Sequence, residues 1–131
     1  MPTCAAACPG PPVAASAETR RVRALAASSH PFDTDSVKRR LQEAGGGYEI
    51  VHESPGLEIG VYVLVAPEPD RQQPHEDDEV YLGLEGSGTL EVEGAQHSLA
   101  EGHSIFVPAG AEHRFTGYEH LAVLVIFARR P

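Results

Sequence analysis

From Tyr48 to Phe127 the sequence is a succession of short apolar stretches, each cut off by Gly, Pro or Asp before it is long enough to form a helix with a buried face. Within them, successive side chains fall on opposite faces. In Thr89–Glu93, Leu90 and Val92 stand against Thr89, Glu91 and Glu93; in Leu57–Ala66, Val61, Val63 and Val65 fall on one side, Tyr62 and Leu64 on the other. Tyr48–His52, Leu57–Ala66, Glu79–Leu84, Thr89–Glu93, Gln96–Leu99, Ser104–Val107, Glu112–Phe115 and Leu121–Phe127 thus read as eight short strands, with turns at Gly86-Ser87-Gly88 and Gly94. This pattern predicts an all-β fold, an antiparallel β-barrel or jelly roll. Leu57–Ala66 and Leu121–Phe127 are apolar on both faces, so a second layer must cover them. A short helix upstream supplies part of that cover, and a second copy of the chain, a homodimer, supplies the rest.

That helix is expected after Asp33 or Asp35, either of which is a capping residue. Val37, Leu41 and Ala44 make a thin apolar stripe, Lys38, Arg39 and Arg40 a solvated face, and Gly45-Gly46-Gly47 a stop. Residues 1–30 are rich in Ala, Pro, Ser and Arg without a periodic apolar face, and read as a flexible N-terminal arm; residues 31–131 carry the domain. The two cysteines, Cys4 and Cys8, precede that domain and cannot staple it. Met1–Ala17 lacks a basic start and is broken by Pro9, Pro11 and Pro12, so it does not read as a signal peptide, and a cytoplasmic location is expected. A net charge of -9 argues against nucleic acid and anionic membrane as partners. A small-molecule substrate or ligand remains as the expected partner.

The chemistry concentrates in Gln73-Pro74-His75-Glu76-Asp77-Asp78-Glu79. Positions 73, 75 and 79 share parity, so on an extended strand an amide, an imidazole and a carboxylate point the same way. Downstream, Pro108-Ala109-Gly110 makes a turn and His113 follows it. Two histidines and a carboxylate converging inside a barrel form a site for a divalent ion. By the same parity Tyr81 accompanies Glu79 and Phe115 accompanies His113, as candidate lining of an adjoining pocket. Asp77 and Asp78 read as loop charge, and His52, His97, His103 and His120 as ordinary surface or core histidines. No Ser-His-Asp order, phosphate loop or nucleotide fingerprint is present.

These segments resemble the two motifs of the cupin superfamily. The first has the form G-x5-H-x-H-x3-E-x6-G, and this chain has Gln73, His75, Glu79 and Gly86 at the corresponding places; the second has the form G-x5-P-x-G-x2-H-x3-N, matched by Gly102, Pro108, Gly110 and His113. Pro67 replaces the first Gly, Gly117 the final Asn, and Gln73 the first His. The resemblance implies a single cupin-type barrel with one divalent metal ion per chain, held by His75, Glu79 and His113, with Gln73 as a less secure fourth ligand. Iron ranks first; zinc, manganese, nickel and copper accept the same donors. A metal-dependent enzyme acting on a small organic molecule follows, with a non-haem-iron dioxygenase first in order because the secure ligands form a two-His, one-carboxylate set. A zinc-type isomerase, lyase or cyclase comes second, since one zinc phosphomannose isomerase class uses Gln, His, Glu and His. A non-catalytic binding or sensing cupin is the alternative from another class.

Overall fold

The structure, a computed structural model, describes residues 29–129. The reading of residues 1–30 as an arm therefore falls almost wholly outside the described residues, as do Cys4 and Cys8. All elements below belong to the unit Phe32–Pro131.

Helix α1, Thr34–Glu43, starts where an acceptor meets its unsatisfied first turn. Asp33 is the N-cap, and its Oδ1 accepts from the Ser36 backbone N–H at 3.1 Å. The helix stops at the glycine run, where Gly45, Gly46 and Gly47 all have positive φ and the Gly46 N–H donates to the Leu41 carbonyl at 2.8 Å. Val37 is buried, and with Leu41 it packs on Val61, Val63 and Ala122; Ala44 is exposed. The basic face is less solvated than its charge suggests. Lys38 reaches Glu85 at 2.8 Å, and Gln42 donates to the same carboxylate at 2.9 Å. Together these bonds clasp the helix to the sheet.

The strands are β1 Gly47–Ser54, β2 Leu57–Val65, β3 Asp78–Val92, β4 Ala95–Ala100, β5 Ser104–Val107, β6 His113–Thr116 and β7 His120–Ala128. Every pairing is antiparallel, in the order β1-β2-β7-β3-β4, with β5 and β6 also on β3. Among the described residues there are thus seven strands rather than eight, because Gly86-Ser87-Gly88 is not a turn. The two stretches on either side of it are one strand of 15 residues. Its first half pairs with β5 and β7, its second with β4 and β6, and the register against β7 shifts between Gly83 and Glu85. Glycine serves close approach here. A Cβ on Gly83 would lie 2.0 Å from the Ala100 carbonyl oxygen.

The core lies inside this folded sheet and holds Tyr81, Leu90, Leu99, Val107, Phe115, Leu121 and Val123. The expectation that β2 and β7 need cover on both faces is met in part by α1. Val61, Val63 and Ala122, on the outer face, are 0%, 1% and 0% exposed beneath it. Each fully buried Val contributes roughly 1.5–3 kcal/mol. Along β3 the inward positions alternate as Glu79, Tyr81 and Gly83. Glu79 is therefore a carboxylate in a place where the pattern calls for a core residue.

Candidate metal centre

Glu79, near the start of β3, and His113, the first residue of β6, project inward and are 1% and 8% exposed. His75 comes from the irregular segment before β3 and leans on Phe127, ring to ring edge-on at 4.8 Å. The turn preceding β6 is tied to this segment by backbone bonds. The Gly110 N–H donates to the His75 carbonyl at 2.7 Å, and the Ala109 N–H to Asp78 Oδ1 at 2.9 Å. Asp78, read as loop charge, thus fastens the Pro108-Ala109-Gly110 turn to the strand that carries Glu79. Gly110, at φ 80, is a residue for which the required left-handed conformation carries no Cβ penalty.

Positions 73, 75 and 79 do not share a strand face as their parity suggests. β3 begins at Asp78, and residues 71–77 are not extended ladder. Pro74 has no N–H to give a ladder, and a buried carboxylate, Asp70, takes the backbone N–H groups of Gln72 and Phe115 at 3.2 and 2.8 Å. His75 meets Glu79 through the path of this loop. Gln73 is exposed and lines a polar cleft with Glu91, Glu93, Glu112 and the ligand candidate His113. Its neighbour Gln72 points inward instead: its Oε1 accepts from the Tyr81 hydroxyl at 2.8 Å and its Nε2 donates to Asp70 Oδ2 at 2.7 Å. Nothing in strand periodicity singles out Asp70 or Gln72, since both act through loop contacts.

The three donor atoms of His75, Glu79 and His113 lie within 4.8 Å of one another. His113 Nε2 is 3.1 Å from Glu79 Oε1, and His75 Nε2 is 3.8 Å from Glu79 Oε2. His113 Nδ1 sits 2.8 Å from the Ala111 carbonyl oxygen, so that nitrogen carries the hydrogen and Nε2 presents its lone pair. While His113 is neutral, two acceptors then face each other at 3.1 Å; once it is protonated, its Nε2–H can donate to Glu79 Oε1. Despite that distance, His113 Nε2 and both Glu79 oxygens are buried without a hydrogen-bond partner. Buried acceptors left in this state are costly unless a cation joins them. Burial acts to lower the His113 pKa, but the Glu79 carboxylate, the Ala111 carbonyl and Asp70 outweigh it and hold it above the ordinary histidine value. The site thus favours positive charge between these side chains, and its donors, two imidazoles and a carboxylate, suit a divalent transition metal.

A cavity of about 350 Å³ opens beside His75 and Glu79, walled by Tyr48, Tyr62, Gln72, Val125 and Phe127, with Glu58, Arg71 and Asp77 also lining it. Tyr81 and Phe115 are not on this wall. They lie in the core beneath the site, 0% and 1% exposed, with rings edge-on at 4.9 Å. Burial first, then the charge of Glu79 and its hydrogen-bonding reach to the hydroxyl, push the Tyr81 pKa well above the ordinary tyrosine value, while Gln72 works the other way. Of the remaining histidines, His120 pairs with Glu85 at 2.8 Å, His52 Nε2 with Ser54 at 3.0 Å, and His97 and His103 are exposed.

Residues 61–127 match the cupin domain family model. The chain is 33% identical over 98 residues to protein SCO3923 of Streptomyces coelicolor, covering 74% of this chain and 93% of that protein. It is 42% identical over 43 residues to the dimethylsulfoniopropionate lyase DddW of Ruegeria pomeroyi, covering 33% of this chain and only 28% of the lyase. Among solved structures, TT1209 from Thermus thermophilus superposes with a TM-score of 0.62 at 29% identity, covering 73% of this chain and 94% of the other. The family match takes in the long strand, the loop before it and the turn before β6, and by that measure this chain belongs to the cupin domain family.

Proposed function

We propose that this protein is a metal-dependent enzyme acting on a small organic molecule, with His75, Glu79 and His113 holding one divalent ion. The observation that carries this reading is the set of buried acceptors, Glu79 Oε1 and Oε2 and His113 Nε2, gathered without partners beside a cavity of substrate size. A bound ion would supply Lewis acidity to an oxygen of the substrate. The chain's own residues do the rest. Glu79 and His113 would hold the ion from the buried side. His75, with a side chain 34% exposed, would complete the set on the cavity side. Tyr48, Tyr62, Val125 and Phe127 present an apolar wall that excludes water from a bound substrate. Gln73, which lines the polar cleft together with His113, is the candidate fourth ligand.

A lyase reaction is the first choice, supported by the similarity to the dimethylsulfoniopropionate lyase DddW. The two-His, one-carboxylate set favours an oxygenase as the second reading. Purified protein analysed for metals, then incubated with zinc or iron(II) and dimethylsulfoniopropionate or shorter β-substituted carboxylates, separates them. Release of an unsaturated acid without oxygen uptake supports the lyase; oxygen uptake dependent on iron(II) and substrate supports the oxygenase. Ligand binding with no product in either assay would leave a binding or sensing cupin, and no metal uptake at all would refute the reading.

For the assembly we infer a homodimer, through the outer face of the sheet. Phe106, 59% exposed, pairs with Val80, which pairs with Ile126, which pairs with Ile59. α1 packs instead on Val61, Val63 and Ala122, leaving this apolar row as the surface for a second copy.

A further inference from the structure

Asp70 is a charged residue with no place in the ion-binding set, yet it is only 5% exposed. Its carboxylate is fully engaged. Oδ1 accepts from the Tyr62 hydroxyl at 2.8 Å and the Gln72 N–H at 3.2 Å; Oδ2 accepts from Gln72 Nε2 at 2.7 Å and the Phe115 N–H at 2.8 Å. A carboxylate can only accept, so the amide of Gln72 has one orientation: its NH₂ toward Asp70, its oxygen away from it. That oxygen meets the Tyr81 hydroxyl at 2.8 Å. Tyr81 is 0% exposed and has a single hydrogen to donate. Glu79, two residues earlier on the same face of β3, offers two oxygens without partners. A buried hydroxyl takes an available acceptor, and a carboxylate accepts more strongly than an amide.

We propose that Gln72, oriented by Asp70, holds the Tyr81 hydroxyl hydrogen away from Glu79 and so reserves that carboxylate for the cation. The inference rests on the metal-centre reading and adds to it a positioning pair that no ligand motif contains. Gln72 touches no ion; it acts through Tyr81, by deciding where one hydrogen points. Without Gln72 the Tyr81 hydroxyl turns to Glu79, and an incoming ion must break that charge-assisted hydrogen bond before the carboxylate can ligate.

The test is zinc affinity, measured by competition with a chromophoric chelator, in the wild type, Gln72→Leu, Tyr81→Phe and the double variant. Gln72→Leu is expected to bind zinc about tenfold more weakly, in the range for groups that orient metal ligands. In the double variant, where no hydroxyl remains to compete for Glu79, affinity is expected to return to that of Tyr81→Phe alone. A general loosening of the loop would not be rescued by removing the Tyr81 hydroxyl, so a double variant as weak as Gln72→Leu overturns the inference, as does Gln72→Leu binding like the wild type. Should Gln72→Leu not fold, Gln72→Asn, one methylene too short to span Asp70 and Tyr81, takes its place. In metal-free protein the ¹³Cζ resonance of labelled Tyr81 should shift on substitution of Gln72, as the acceptor changes from amide to carboxylate. A wild type that takes up no zinc overturns the metal centre and this inference together; zinc uptake without the rescue overturns this inference alone.

Discussion

Replacing Glu79 by Gln should make the metal-free protein more stable and the metal-loaded protein less so. Glu79 is 1% exposed, and neither of its oxygens has a hydrogen-bond partner. An uncompensated buried charge costs several kcal/mol, and a neighbouring histidine drawn toward its charged form offsets only part of that. In Glu79→Gln an amide N–H takes the place of Oε1, 3.1 Å from His113 Nε2, and can donate to that lone pair. One charge disappears and two orphaned atoms acquire a bond. The expected gain without metal is about 1–2 kcal/mol. For a domain of this size each kcal/mol moves Tm by about 4–8 °C. With zinc at a hundred times its Kd the wild type gains about 2.7 kcal/mol, whereas the variant, missing its only anionic ligand, gains little. The two proteins therefore exchange order: the variant melts higher in chelator, the wild type higher in zinc. Scanning calorimetry of both proteins at neutral pH, with chelator and with zinc, makes the comparison. The stabilisation by zinc should also shrink as pH falls, because protons compete for the imidazoles. A variant that melts below the wild type in chelator and gains as much from zinc would refute the argument.

Three other outcomes follow from the same structure. Lys38 above all, then His120 and Gln42, hold the Glu85 carboxyl down to about 2. A depressed carboxyl stabilises the fold above its ordinary pKa and loses that contribution as pH falls through the folded value. With Glu85 39% exposed, solvent screening leaves roughly 1 kcal/mol of the clasp on α1; denaturant midpoints of wild type and Glu85→Gln should differ by that amount above pH 5 and converge toward pH 2, and a gap unchanged down to pH 2 would contradict the assignment. Gly83→Ala places a Cβ 2.0 Å from the Ala100 carbonyl oxygen, a backbone atom that cannot easily yield, so a loss of about 3 kcal/mol is expected by urea unfolding; a near-neutral substitution would mean that β3 passes β4 differently. Phe106→Glu puts a charge on the exposed apolar row, and light scattering should find a monomer in place of a dimer; a monomeric wild type would refute the dimer outright.

Much of this was legible in the chain because it is local. The apolar runs of β2 and β7, the Asp33 cap and the glycine stop at 45–47 depend on neighbours a few residues apart, which local pattern and turn chemistry describe well. The motif spacing likewise named His75, Glu79 and His113, whose donor atoms the fold gathers within 4.8 Å. Long-range contacts decided what periodicity missed. Gly86-Ser87-Gly88 has the composition of a turn, but a Cβ at Gly86 would lie 2.2 Å from the His120 carbonyl oxygen, and these glycines serve a close crossing within one continuous strand. Gln73 has the motif position and Gln72 the inward orientation, because the course of residues 71–77 follows Asp70 and not a ladder. Asp70 reaches Phe115, 45 residues away, through a hydrogen bond that no pattern of adjacent residues records. Local sequence could name the donors of this site; only the tertiary structure could say which buried groups orient them, because that orientation is set by partners remote in the chain.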